Sequence, residues 1–135
     1  MKTAVRYFTR SGNTQKIAEA IAKAADTEAK PITEDLAEPI DVLFLGSSLY
    51  KFTYEPAVGE FLKRNAAKIG KLVLFGTSAS GKSTMPQLRP VCEQLGIPLC
   101  GQEFVCLGKF LFAHKNRPNA EDTAAAAAFA EKVLR

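Results

Sequence analysis

The stretch TAVRYFTRSGNTQKIAEAIAKAA, residues 3–25, sets an apolar run, a polar turn and an amphipathic segment end to end. Residues 3–8 have the β-branched and aromatic character of a strand. From 14 to 25 the spacing predicts a helix with Ile17, Ala18, Ile21 and Ala25 on one face. Between the two, Thr9, Ser11 and Thr14 place three hydroxyls in six residues, beside Arg10, Gly12 and Asn13. A strand–helix turn also uses Ser, Thr and Asn as caps, but three hydroxyls exceed what one cap needs. Backbone N–H groups at a helix N-terminus attract an anion, and short hydroxyls add donors. Gly12 lets the chain turn tightly around that anion. This loop reads as a phosphate site.

Working outward, the same alternation continues. Residues 28–32 are a weak strand that Pro31 demotes to an edge. Residues 41–48, DVLFLGSS, are a near-continuous apolar run, as for a parallel strand buried on both faces. A helix follows at 55–70, with Ala57, Val58, Phe61 and Leu62 inward and Gly70 as its C-cap. Residues 71–76 are a second buried strand, 86–96 a helix complicated by Pro90, and 97–110 a last strand broken at Gly101. An Ala-rich helix at 118–135 has Asn119 as N-cap, acids in its first turn and bases in its last. Alternating strands and helices predict a single domain, 1–135, of the α/β class. The expected architecture is a doubly wound five-stranded parallel sheet with helices on both faces. Ligands of such sheets sit beyond the carboxyl ends of the strands, where strand order reverses.

Composition narrows the function classes. An apolar share of 47% and a charged share of 24% suit a globular protein, and no apolar run is long enough to span a bilayer. No secretory signal is visible at the N-terminus, so a cytoplasmic location is expected. Three irregularly spaced cysteines and one histidine assemble no zinc pattern, so buried reduced thiols are expected and no metal site. His114 reads as a solvated loop residue. The net charge of +4 is spread along the chain without interleaved aromatics, which speaks against a nucleic-acid surface. It fits an acidic partner or an anionic cofactor.

The pattern V-x-Y-F-T-R-S-G-N-T-x-x-I-A-x-x-I, from Val5, resembles the phosphate loop of the flavodoxin family, departing from it at Arg6. The segment DVLFLGSSLYKFTYEPAVGEFLKR, residues 41–64, is similar to that family's third-strand region. Together with the strand spacing, these two segments extend the resemblance over essentially the whole chain. It implies strand order 2-1-3-4-5, FMN at the β1/β3 switch point, and an electron-transfer role. On the resemblance, Thr9, Arg10, Ser11, Gly12, Asn13 and Thr14 hold the phosphate. Ser47, Ser48, Leu49, Tyr50 and Lys51 form the second loop, with Tyr50 stacked on the flavin and Phe52 and Tyr54 competing for that place. The family's glycine after this aromatic is replaced by Lys51 and Phe52, which brings positive charge near the ring. Thr77, Ser78, Ala79, Ser80 and Gly81 line the pyrimidine edge, and the second face is either open or covered by Phe110 or Phe112. No residue is assigned a catalytic role.

Residues 76–83, GTSASGKS, also match the P-loop pattern G-x-x-x-x-G-K-[ST]. Three things count against that reading. Pro86 and Pro90 fall inside the helix that should follow, no later strand ends in a Mg²⁺-binding acid, and a better phosphate loop precedes it. The expected function is an FMN-binding electron carrier serving an acidic redox partner protein or a small quinone-like acceptor. The alternatives are a flavodoxin-like oxidoreductase of the NAD(P)H:quinone or protoporphyrinogen type, an FMN-free binding module, and a P-loop nucleotide-binding protein.

Overall fold

The computed structural model describes residues 1–9, 12–48, 56–78, 83, 85–107 and 118–135. Five strands form the sheet: β1 (Thr3–Tyr7), β2 (Ala29–Pro31), β3 (Val42–Ser48), β4 (Leu72–Ser78) and β5 (Leu99–Leu107). All neighbours pair in parallel, in the order β2-β1-β3-β4-β5. Order reverses between β1 and β3, whose register runs from Thr3↔Val42 to Tyr7↔Gly46.

The central strands are apolar at every early position because both of their faces are covered. Leu43, Leu45, Leu72 and Leu74 point to one side. There they meet α2 (Pro56–Asn65) through Val58, Phe61 and Leu62, and α3 (Met85–Leu95) through Leu88 and Cys92. Val42, Phe44, Val73 and Phe75 point to the other side. They meet α1 (Asn13–Ala24) through Ile17 and Ile21, and α4 (Ala120–Leu134) through Ala126 and Ala130. Each large apolar side chain so buried contributes about 1.5–3 kcal/mol of transfer free energy. The alanine run of α4 presents Ala126 and Ala130 where α1 presents Ala18 and Ala22, all buried. Small side chains let the two helices lie close.

Between β2 and β3 the chain makes its crossover without a helix. Ile32 and Leu36 cover the sheet there. Arg6 points to the same side, because side chains alternate along β1 and Ala4 and Phe8 face that core. Its guanidinium donates to the carbonyls of Glu34 (2.8 Å), Asp35 (3.4 Å) and Val5 (3.1 Å). Burial lowers the Arg6 pKa, and the charges of Glu34 and Asp35 oppose that shift. Asn65, 1% exposed, fixes the other end of the segment by accepting from the Leu36 N–H and donating to Asp35 Oδ1. Arg64 reaches the same carboxylate at 3.0 Å. These hydrogen bonds, Asn65 first and Arg64 second, hold the Asp35 carboxyl below its ordinary range.

Several boundaries differ from the sequence expectation. β2 is an edge strand of three residues, as Pro31 implies. Helix α2 stops at Asn65 and a 3-10 turn, Ala66–Lys68, follows it. Gly70 is therefore not a C-cap: a Cβ there would lie 2.7 Å from the Asp41 carbonyl, and close strand entry is what selects glycine. Ala25 falls just outside α1, and Ala22 takes its place in the buried stripe. β5 is not broken at Gly101 but slips in register: Leu72 pairs with Leu99 and Leu74 with Glu103. Pro86 lies in the first turn of α3, where a missing N–H costs nothing, and Pro90 is carried on the exposed side. Asn119 caps α4 as expected, in a full capping box with Asp122. Among the described residues no helix is long and apolar enough to cross a membrane.

Candidate functional site

Four buried polar residues gather where β1, β3 and β4 end: Asn13 at 6% exposure, Thr14 at 0%, Ser47 at 3% and Thr77 at 2%. Polar side chains in such a place need partners, and one pair supplies them mutually. The Thr14 and Thr77 hydroxyls lie 3.0 Å apart, tying the first turn of α1 to the end of β4 across 63 residues of chain. Gly12 has φ of 85°, the left-handed conformation that favours glycine, and stands at the N-cap of α1. It brings no side chain to the cap, and the first turn of α1 holds no acid. The Gly12 N–H donates to Thr9 Oγ1 at 3.0 Å, which folds the loop back on itself.

Strand approach sets the floor of the site. The Phe8 N–H donates to the Gly46 carbonyl at 2.9 Å, carrying the β1–β3 ladder one residue further. A Cβ on Gly76 would strike the Ser47 carbonyl, and one on Gly46 would strike the Phe75 ring. At Gly76, within the expected strand 71–76, the absence of a side chain thus serves the close approach of β3. Thr77 and Ser78 are likewise the last residues of β4, with Ser48 paired to Thr77. Asn13 and Thr14 open α1 rather than lying in the loop before it.

The expected site residues Thr9, Gly12, Asn13, Thr14, Ser47, Ser48, Thr77 and Ser78 thus fall on three neighbouring strand ends and one helix start. Arg10, Ser11, Leu49, Tyr50, Lys51, Ala79, Ser80 and Gly81 lie outside the described residues, as do Lys82, Phe110, Phe112 and His114. Sequence reasoning missed the partner of Ser83. Its hydroxyl donates to Glu103 Oε2 at 2.6 Å and accepts the Met85 N–H at 2.8 Å, capping α3. A P-loop serine begins its helix and turns its hydroxyl to Mg²⁺. Here Ser83 precedes the helix, which starts at Met85, and its hydroxyl is spent on the protein.

Of the cysteines, Cys106 stands opposite Thr77 in the β4–β5 ladder, Cys92 lies in α3 and Cys100 near the start of β5. Cys92 and Cys106 are buried and Cys100 is half-buried, all three as reduced thiols. Burial pushes the Cys92 thiol up, with Glu93 adding to the shift, so its nucleophilic thiolate is suppressed. Among the described residues no cluster of three His, Cys, Asp or Glu is placed to hold a metal.

The donor set suits a phosphate monoester. A helix start with a glycine N-cap and no acid in its first turn, next to hydroxyls, offers hydrogen bonds and positive partial charge to an anion. Comparison with known proteins agrees with this arrangement. A profile of the family described as flavodoxin domain matches residues 4–94. An uncharacterized protein of Methanocaldococcus jannaschii is 27% identical over 137 residues, covering 91% of each chain. A flavodoxin from the domain Archaea superposes with a TM-score of 0.77 at 17% identity, covering 98% of this chain and 96% of that one. The two-electron reduced flavodoxin of Megasphaera elsdenii gives 0.62 at 21% identity, over 94% and 98%.

Proposed function

This chain belongs to the flavodoxin domain family as a flavodoxin-like electron-transfer protein, and from that premise we propose that it holds FMN without a covalent bond. The observation that carries the proposal is the start of α1. Left-handed Gly12 turns the chain at the β1/β3 switch point, and the helix is capped by no side chain of its N-cap. Thr9, Ser11, Gly12, Asn13 and Thr14 receive the phosphate. When bound, FMN supplies the redox chemistry, and the protein sets its position and exposure. The buried Thr14–Thr77 bond joins the phosphate end of the site to the strand that leads into the ring end. On the family pattern, Tyr50 packs on the ring, and residues 77–81 meet its polar edge.

The net charge of +4 favours an acidic partner protein over a basic one. Steered association of that kind slows as salt is raised. The experiment is a visible spectrum of the purified protein, followed by titration with FMN, riboflavin and ATP. FMN should bind with flavin-like absorbance and at least tenfold more tightly than riboflavin. A colourless protein that ignores FMN would end the carrier reading. Mg²⁺-dependent binding of ATP that depends on Lys82 would restore the P-loop.

A further inference from the structure

The family resemblance assigns Thr77 to the polar edge of the flavin ring, but in the structure its hydroxyl is engaged by a helix. Thr77 is next to last in β4 and 2% exposed. Alternation along the strand puts its side chain with Val73 and Phe75, on the face that α1 and α4 cover. There its Oγ1 lies 3.0 Å from Oγ1 of Thr14, a residue with no exposed surface in the first turn of α1. Helix α1 follows β1, and β3 stands between β1 and β4. The bond therefore ties the helix to a strand two places along the sheet from the one that delivers it.

What a helix start offers an anion depends on where its first N–H groups are aimed, and the effect fades beyond that turn. The first turn of α1 does little to fix itself. Its glycine N-cap brings no side chain, and the bond that closes it, from the Lys16 N–H to the Gly12 carbonyl, is 3.3 Å long. The matching bond of α4, from the Thr123 N–H to the Asn119 carbonyl, is 3.1 Å and is backed by the capping box. β4, by contrast, is an interior strand, paired at Thr77 with Ser48 on one side and Cys106 on the other. The strand is the fixed reference, and the helix start is what it holds. We propose that Thr77 is a positioning residue for the phosphate end of the site: through Thr14 it sets where the first-turn N–H groups of α1 point. Its side chain serves the phosphate and not the ring. The inference rests on the FMN reading for its ligand, but the tie between α1 and β4 is a property of the protein alone.

Two readouts separate those dependences. In the apoprotein, Thr77→Val should speed amide hydrogen exchange at Lys16 at least threefold and leave Thr123, at the matching position of α4, unchanged. Thr77→Ser keeps the hydroxyl and should restore the exchange of the wild type. In the holoprotein, Thr77→Val should weaken FMN about fivefold and riboflavin less than twofold, because riboflavin has no phosphate. Thr77→Ala removes the hydroxyl without a branched replacement and should give the same split, so the test does not depend on how valine packs. In a Thr14→Val background the further change Thr77→Val should leave FMN affinity within twofold, because its route to the ligand is gone. Equal losses of FMN and riboflavin would give the Thr77 side chain back to the ring and overturn the proposal. An undiminished loss of FMN in the Thr14→Val background would overturn it too. Unchanged exchange at Lys16 in a folded Thr77→Val protein overturns the tie, whatever the ligand. A wild-type protein that binds neither flavin, with exchange behaving as described, refutes the FMN reading and the phosphate part of this inference, and leaves the tie standing.

Discussion

α1 and α4 pack side by side on one face of the sheet through small and aliphatic residues, but their N-termini are built from opposite residue types. At α4, Asn119 accepts from the Asp122 N–H at 3.0 Å, and the Asp122 carboxylate accepts from the Asn119 N–H at 2.8 Å. Glu121 adds a second acid to that turn. The helix neutralises its own dipole and leaves little for an external anion. At α1 the N-cap is a glycine, no acid stands in the first turn, and the hydroxyls lie in and around the loop instead. What α4 does with its own side chains, α1, on the proposed reading, leaves to a phosphate. The difference teaches that two helices on one face of a sheet can treat their dipoles in opposite ways, and the proposed function gives the weakly capped one a use.

Copying the α4 solution onto α1 should break that contrast most. Gly12→Asp places a carboxylate where the phosphate belongs, and FMN affinity is expected to fall about 100-fold, or about 2.7 kcal/mol. Riboflavin, which has no phosphate, should change less than threefold. The left-handed backbone makes any side chain at Gly12 cost about 1 kcal/mol of stability, so a denaturant titration must accompany the binding measurement. Equal losses for both flavins would place the phosphate elsewhere.

Thr77→Val comes next. It removes the buried hydroxyl pair with Thr14 and should lower unfolding free energy by about 1–2 kcal/mol, with FMN affinity falling several-fold. Chemical denaturation of the apoprotein measures the first effect and flavin fluorescence quenching the second. Asn119→Ala sharpens the comparison from the other side. Losing the cap should cost about 1 kcal/mol of stability and leave FMN affinity within twofold of wild type.

The smallest effect lies far from either helix start. Asp35 has a folded pKa below the ordinary aspartate value, through its bonds from Asn65 and Arg64. Its contribution to stability is complete above the unfolded value and is lost as pH falls through the lower folded value. Melting temperature measured from pH 6 to pH 2 should drop less steeply in Asp35→Asn than in the wild type. Identical acid limbs would show that the bonds to Asp35 do not contribute.

The sheet was legible in the sequence because β3 and β4 are buried on both faces, and a continuous apolar run as short as VLFL suits a central parallel strand. Gly12 was legible for a related reason: a left-handed turn at a helix start selects that residue locally. What stayed hidden depends on register and on long-range packing. Arg6 looked like an intruder in β1, and the helix-free crossover at 32–36 supplies two of the three carbonyls to which its guanidinium donates. Gly70 read as a helix C-cap, but it is small because the Asp41 carbonyl, at the entry to β3, lies against it. The bond from Ser83 to Glu103 follows from a two-residue slip in β5, which no local pattern encodes.

That slip has a consequence for how the molecule behaves among its own copies. A strand at the rim of a sheet is a template for another chain, since its outward N–H and C=O groups await a partner. Among the described residues, β5 forms one rim and β2 the other. Extra residues at 100–102 interrupt the even row of groups along β5. On the opposite rim, β2 is only three residues long and closes on Pro31, which has no N–H to offer. The regular track on β5 is thereby shortened to Glu103–Leu107, and that on β2 to three residues, which limits what an incoming strand can follow.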